Sequence, residues 1–272
     1  MNHRRDYCSA IPRWLLVDLT KMPDSTITAS SPSEQDGWFA TTHWSIVLSA
    51  RDPACPQAAD ALEKLCRSYW YPLYAFARRQ GHDENSAKDL TQGFFAQLFE
   101  KNFLAQVKQN KGKFRSFLLV SLRHYMAGER DKERAQKRGG GQVVLSLDET
   151  VGEDCYRAEP VDVMDAEKLY ERRWALTLLD QAKERLQEEY LKAGKLQLYH
   201  RFQAMEAGGG AGSPPCAEVA VMLGLSESGL RTAVFRLRQR YRELVREEVA
   251  QTVSSPQEVD EEIRHLILVV GG

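Results

Sequence analysis

Apolar residues recur at intervals of three and four along most of the chain, which is the spacing of amphipathic α-helices. The segment 84–100 is the clearest example. Its apolar stripe consists of Ala87, Leu90, Phe94 and Leu98. Alternating apolar and polar runs of useful length, which would predict strands, are missing from the sequence. The pattern therefore predicts an all-α fold.

Turn and capping residues divide this pattern into separate helices. Pro72 is expected to kink or end a helix that begins near residue 58, because proline lacks a backbone N–H. Asp83 is placed to cap the helix 84–100. A further helix is predicted over 114–138, where three consecutive glycines follow.

The segments group into two predicted helical domains, residues 37–141 and residues 166–253. Residues 142–165 join them and are predicted to be an acidic, flexible linker. The leader 1–36 is rich in Ser, Thr and Pro near its end, and is predicted to be flexible. Residues 254–272 are predicted to form a C-terminal helical extension.

Composition excludes several classes of protein. With 43% apolar residues in 272, the chain can bury a core in each domain. Its apolar runs are far shorter than the ~20 residues of a membrane span. The N-terminus does not resemble a signal peptide, and Met22 is a candidate for the true start. Five scattered cysteines without C-x-x-C spacing favour a cytoplasmic location.

The net charge of −1 conceals an uneven distribution. Residues 101–138 contain eleven basic and three acidic side chains, a net charge of +8, and residues 229–246 have a net charge of +5. Residues 142–171 contain nine carboxylates and two cations, a net charge of −7. Two basic segments separated by an acidic one favour two contacts with a polyanion, although solvated helix faces are the simpler interpretation.

A helix-turn-helix is predicted over 216–242. Ala220 is the small residue where two helices approach, Gly224 lies in the turn, and Ser226 is placed to cap the second helix. The apolar residues expected to lock the two helices together are Val219, Leu223, Leu225, Leu230 and Ala233. The second helix presents arginines outward, where a recognition helix reads the major groove. An ordinary helical hairpin is the alternative.

No motif for catalysis or metal binding accompanies these features. The glycine runs 139–141 and 208–212 lack the spacing of a phosphate-binding loop, and no G-x-S-x-G elbow occurs. The histidines and cysteines lack zinc spacing. We therefore expect no enzyme activity, no cofactor and no metal.

Several motifs in order resemble an extracytoplasmic-function-type bacterial RNA polymerase sigma factor. They are Asp-Leu-Thr-Gln-Gly-Phe-Phe at 89–95, Lys-Phe-Arg-Ser-Phe-Leu at 113–118, the Lys-Arg pair at 137–138, and Phe-Arg-Leu-Arg at 235–238 within the helix-turn-helix. Thr-Thr-His-Trp-Ser at 41–45 is similar to the planctomycete-like branch.

The resemblance implies core RNA polymerase and promoter DNA as partners, with an anti-sigma or other regulatory protein as a further one. Residues expected to contact the polymerase are Asp89, Gln92 and Phe94. Those expected to melt and read the proximal promoter element are Lys108, Lys111, Lys113, Phe114, Arg115, Phe117, Arg123, His124 and Arg130. Those expected to read the distal element are Glu227, Ser228, Arg231, Thr232, Phe235, Arg236 and Arg238.

This sequence departs from many relatives at three positions. An acidic residue is common at the position of Gly93, asparagine at that of His124, and aspartate at that of Gly128. Two other classes of function stay open: a helix-turn-helix regulator that binds operator DNA alone, and a helical adaptor that binds only proteins.

Overall fold

A computed structural model describes residues 56–99, 113–135, 150–157, 165–207, 216–253 and 255–271. These residues form α-helices and turns, with no strand among them. The helices are α1 (Pro56–Arg79), α2 (Glu84–Phe99), α3 (Phe114–Ala135), α4 (Thr150–Arg157), α5 (Ala166–Lys192), α6 (Leu196–Ala207), α7 (Cys216–Met222), α8 (Glu227–Ala250) and α9 (Glu258–Gly271). The all-α prediction is confirmed for this part of the chain.

Local signals place most helix ends correctly. The Asp83 carboxylate accepts a hydrogen bond from the backbone N–H of Ser86 at 2.9 Å and caps α2, as predicted. That bond holds the pKa of Asp83 below its ordinary value. Ser226 caps α8 in the same way, because its Oγ accepts from the Gly229 N–H at 3.1 Å.

Two local predictions differ from the structure. Pro72 was expected to kink or end its helix, and the second of these is wrong, because α1 continues to Arg79. Residues 68–77 of this helix are all buried, so tertiary packing outweighs the one hydrogen bond that proline removes. The segment 142–165 was expected to be a flexible linker, but its residues 150–157 form α4.

The described residues divide into two compact units. The first unit contains the described residues up to Ala175 together with Ala250–Glu262. The second contains those within Leu176–Val249 and 263–271. The divisions therefore fall inside α5, before the last residue of α8 and inside α9, and a stretch near the C-terminus belongs to the first unit.

In the first unit, α1 packs against α2 and α4, and α2 packs against α3. Aromatic side chains dominate its core. Tyr69 meets Phe114 edge to face with ring centroids 5.4 Å apart, and Phe94 lies 6.1 Å from Tyr125. These contacts fix the start of α3, where many of the predicted promoter residues lie.

In the second unit, the C-terminal half of α8 is fixed to α5. The buried Tyr241 hydroxyl donates to the Leu179 carbonyl at 2.9 Å. Other buried side chains of α5 and α8 in this unit are Leu178, Leu186, Leu237, Leu244 and Val245. The N-terminal half of α8 extends from this anchored part and packs against α7 instead.

Candidate nucleic-acid interface

Helices α7 and α8 are joined by a tight turn at Gly224. Its φ of +64° lies in the left-handed region, where glycine is the residue that fits without strain. The Leu225 N–H donates to the Ala220 carbonyl at 2.9 Å, and the Gly224 N–H donates to the Val221 carbonyl at 3.1 Å. These bonds terminate α7 and turn the chain into α8.

A small apolar cluster holds the two helices together. Val219 and Ala220 of α7 and Leu230 of α8 are buried. Three partly buried residues pack against them: Leu198, Leu223 and Val234. The sequence identified four of these six residues but missed Val234 and Leu198, the latter from α6, and it named Ala233, which is not among them. The prediction that Leu225 belongs to it was wrong, since its side chain is exposed.

The outward face of α8 has the character that the sequence predicted. Its exposed side chains are Glu227, Ser228, Arg231, Thr232, Phe235 and Arg236. The Arg231 side chain is 74% exposed and lies 3.4 Å from Glu227, whereas no ion pair joins Arg236 to another described residue. Phe235 is 60% exposed at the centre of this face. Two exposed cations beside an exposed ring can contact phosphates and base edges.

Further along α8, the charge of Arg240 is already neutralised. Arg240 binds Glu189 at 2.7 Å, Glu243 at 3.0 Å and Glu247 at 3.1 Å. The hydrogen bond to Glu189 is the main cause that raises the Arg240 pKa above its ordinary value. Arg238 is half-buried. Among the arginines of α8, the exposed ones are Arg231 and Arg236, both in its N-terminal half.

The start of α3 differs more from the sequence prediction. Phe114 and Arg115, expected to contact promoter DNA, are 0% and 4% exposed. The Arg115 Nε lies 2.6 Å from a Glu262 carboxylate oxygen, and its guanidinium stacks 4.8 Å from the ring centroid of Trp174. Burial lowers the Arg115 pKa, but Glu262 outweighs that effect and raises it overall. These two side chains are therefore part of the packed interior.

Other cations on α3 also have contacts within the first unit. Arg123 pairs with Glu167 and lies over the Phe76 ring at 5.4 Å. The Arg130 Nη2 lies 3.3 Å from a ring nitrogen of His82. The net charge of +8 that the sequence gives for residues 101–138 therefore overstates the free positive charge in this region. Phe117 is half-buried, and Lys108 and Lys111 lie outside the described residues.

His124 is exposed and lines a small cavity on α2 and α3. The cavity has a volume of about 250 Å³. Tyr125, Gln97 and Lys132 contribute an aromatic ring, an amide and a cation to its wall. Gly128 adds no side chain, and a Cβ there would meet no other atom within 4 Å.

The predicted polymerase-binding residues on α2 separate by burial. Asp89 is exposed, whereas Gln92 and Phe94 are buried. Phe94 packs against Phe95 and Tyr125, so its side chain stabilises the core and is not available to a partner. Asp89 is the part of this set that a partner can reach directly.

The absence of a side chain at Gly93 is explained by its contact with Tyr125 on α3. A Cβ at position 93 would collide with the Tyr125 hydroxyl and lie 3.3 Å from its Cζ. An acidic side chain, which the resemblance to sigma factors leads one to expect there, requires Tyr125 to move. Sequence reasoning identified the departure but not its cause.

We expect the Gly93→Ala and Tyr125→Phe substitutions to be coupled. Alanine favours a helix by ~1 kcal/mol over glycine, but overpacking costs ~1–3 kcal/mol. Tyr125→Phe removes the hydroxyl group, and with it most of the collision with a Cβ at position 93. Denaturant unfolding of the two single variants and the double variant should give a coupling free energy of ~1 kcal/mol or more. Additive effects would show that the two residues do not meet.

Helix α4 is held by a buried acid that the sequence analysis missed. Glu153 accepts hydrogen bonds from Arg78 Nε at 3.0 Å, from Arg78 Nη2 at 2.8 Å, and from the Tyr74 hydroxyl. Tyr156 lies beneath the Arg78 guanidinium at 4.7 Å. Although burial raises the Glu153 pKa, these hydrogen bonds outweigh it and lower the pKa overall.

The contribution of Glu153 should depend on pH. Because its pKa is lowered by folding, this contribution is full above the ordinary value of 4.5 and is lost as the pH falls through the folded-state pKa. Glu153→Gln should lower the free energy of unfolding by ~1–3 kcal/mol at pH 7. Denaturant unfolding at decreasing pH should show this difference shrink. A constant difference would contradict the assignment.

One of the residues that sequence reasoning missed, Glu262, has a recognisable signal. Glu262 stands within the apolar stripe of α9, next to Ile263 and between Val259 and Leu266, all of them buried. A carboxylate at such a position indicates a buried cation partner, because an unpaired buried charge is very costly. Trp174 gave no comparable signal.

The described residues contain no group of His, Cys, Asp and Glu side chains arranged to hold a metal ion. No helix in the described ranges is long and apolar enough to cross a membrane. The chain matches no protein-family model, no curated protein and no solved structure.

Proposed function

We propose that this protein is a sigma factor, which binds core RNA polymerase and directs promoter-specific initiation of transcription. The outward face of α8 is the observation that carries the proposal. It combines the exposed Arg231, Phe235 and Arg236 with a rigid turn at Gly224. A helix held in this way can enter the major groove and contact bases with its N-terminal half.

In this proposal, α7 and α8 are a helix-turn-helix that reads the distal promoter element. Cation–phosphate contacts supply affinity, and contacts of Arg231, Thr232, Phe235 and Arg236 with base edges supply specificity. Phenylalanine can contact a thymine methyl group, and arginine can bind guanine with two hydrogen bonds. The Thr232 hydroxyl already donates to the Ser228 carbonyl at 2.9 Å, which fixes its side chain on the helix.

The first unit contributes the contact with core polymerase and the proximal element. Asp89 is the exposed acid of the Asp-Leu-Thr-Gln motif, and the cavity beside His124 is placed to accept an unstacked base. Phe94, Phe114 and Arg115 are buried, so in this proposal they stabilise the surface from beneath and do not contact a partner. The protein acts in the cytoplasm, without a cofactor or catalysis of its own.

Two binding experiments on the full chain test the proposal. A tagged protein should retain core RNA polymerase from a planctomycete, and it should shift a duplex selected from a random library. A shifted duplex without retained polymerase would favour a regulator that binds operator DNA alone. Retained polymerase without any sequence-specific duplex would favour an adaptor. Either result would overturn the sigma-factor proposal.

A further inference from the structure

Two cations at the start of α3 share one buried carboxylate. The Glu262 side chain is 0% exposed, and its two oxygens bind Arg115 Nε at 2.6 Å and Lys113 Nζ at 2.7 Å. Glu171 binds the other side of the Arg115 guanidinium at 2.5 Å. Two cations thus meet two carboxylates, and the site is neutral while Glu262 is in place.

The backbone near the C-terminus supports this contact. The Phe114 N–H at the first turn of α3 donates to the Thr252 carbonyl at 3.1 Å. Thr252 and Val253 are both fully buried. Residues 250–253 and 255–262 therefore cover the N-terminal end of α3, where the helix dipole favours an anion.

The two cations differ in how firmly they are held. Arg115 is 4% exposed and keeps Glu171 as a partner when Glu262 leaves. Lys113 is 30% exposed, so its ammonium group is at the edge of the site, where an external anion can reach it. Removal of Glu262 would leave a net positive charge at a helix N-terminus, which is the character of an anion-binding site.

We propose that Lys113 and Arg115 form an anion site, which Glu262 fills in the free protein and a nucleic-acid phosphate fills in the bound one. Residues 250–262 then act as an intramolecular competitor of the polyanion. The inference rests on the proposed function only in its choice of nucleic acid as the competing anion. It accounts for a basic motif whose cations are covered by the chain's own C-terminal segment.

Glu262→Gln tests the competition, with Glu261→Gln as the matched control. Both substitutions remove one negative charge, but Glu261 is exposed on the adjacent position of α9. Affinity of the full chain for a fluorescent single-stranded oligonucleotide is measured by anisotropy between 50 and 200 mM salt. Each additional phosphate that the protein neutralises should steepen the slope of log affinity against log salt by ~0.7, which is about threefold in affinity across this range.

Glu262→Gln should therefore bind more tightly than wild type, with a steeper salt dependence, and Glu261→Gln should not. Equal binding by all three proteins, or equal increases in affinity in both variants, would overturn the proposal. Circular dichroism checks that the Glu262→Gln variant is folded, because the substitution leaves a buried cation with one fewer charged partner.

A measurement on the wild-type protein keeps the test independent of that variant. Hydrogen exchange is followed at the Phe114 amide and across residues 255–262, with and without the oligonucleotide. Competition predicts faster exchange in both places when the oligonucleotide binds. Unchanged or slower exchange would overturn the proposal. Neither experiment uses polymerase. If the protein did not retain core polymerase, the sigma-factor proposal would fail, but the competition between Glu262 and nucleic acid would still be tested.

Discussion

Arg115→Ala should lower the free energy of unfolding by ~3–5 kcal/mol, one of the two largest effects expected for a single site. The substitution leaves the Glu262 carboxylate, which is 0% exposed, with Lys113 as the remaining cation of the site. It also removes the guanidinium that stacks on Trp174 at 4.8 Å. Denaturant unfolding followed by tryptophan fluorescence measures the loss.

Arg123→Ala is the matched control for this prediction. Arg123 lies on the same helix, stacks on an aromatic ring at 5.4 Å and pairs with one carboxylate. Its side chain and that of Glu167 are 40% and 61% exposed, so the pair should contribute under ~1 kcal/mol. A loss in Arg115→Ala no larger than in Arg123→Ala would show that the buried ion pairs do not hold α3.

Arg115→Lys refines the result. Lysine keeps the charge but not the planar fork that binds Glu262 and Glu171 at the same time. Its stability should lie between those of the wild type and the alanine variant. Stability equal to that of the wild type would mean that charge alone, without geometry, accounts for the contribution of Arg115.

The second large effect is expected in DNA binding. Replacing both Arg231 and Arg236 by alanine should weaken binding to a selected duplex by ~1–3 kcal/mol for each arginine that contacts a base. The physical reason is that both side chains are exposed on the outward face of α8, whereas Arg240 is engaged by three carboxylates. Gel shift of the full chain at fixed salt measures the loss.

A charge-matched double variant, Lys195→Ala with Arg201→Ala, separates base contacts from general attraction. These two exposed cations belong to the same unit but lie on α6 and the turn before it. Their loss should have a smaller effect. Should the two double variants weaken all duplexes equally, α8 would contribute charge and not sequence recognition.

Local patterns were sufficient to predict much of the fold. Asp83 and Ser226 each cap a helix through a hydrogen bond to a residue three positions later, and Gly224 supplies the turn. A few residues that are neighbours in sequence therefore determine each feature. The outward face of α8 follows from helical spacing alone, which is why its exposed residues were identified. The limits of the two domains stay predictions.

Long-range pairing could not be predicted in this way. Arg115 appears in the sequence as one of a run of basic residues, and its partner Glu262 is 147 positions away. Glu153 appears as one of nine acids in residues 142–171, but it binds Arg78, which is 75 positions away. A local charge count assigns both residues to the surface. Their tertiary contacts, which a charge count does not include, assign them to the interior.

Run-off transcription tests the central claim most directly. Core RNA polymerase from a planctomycete is combined with the full chain and with a template that carries the selected duplex. The sigma-factor account predicts a discrete transcript when the wild-type chain is present. Core polymerase alone should not produce this transcript, and neither should core polymerase with the Arg231→Ala, Arg236→Ala double variant. A template that the protein binds but that yields no such transcript would contradict the account.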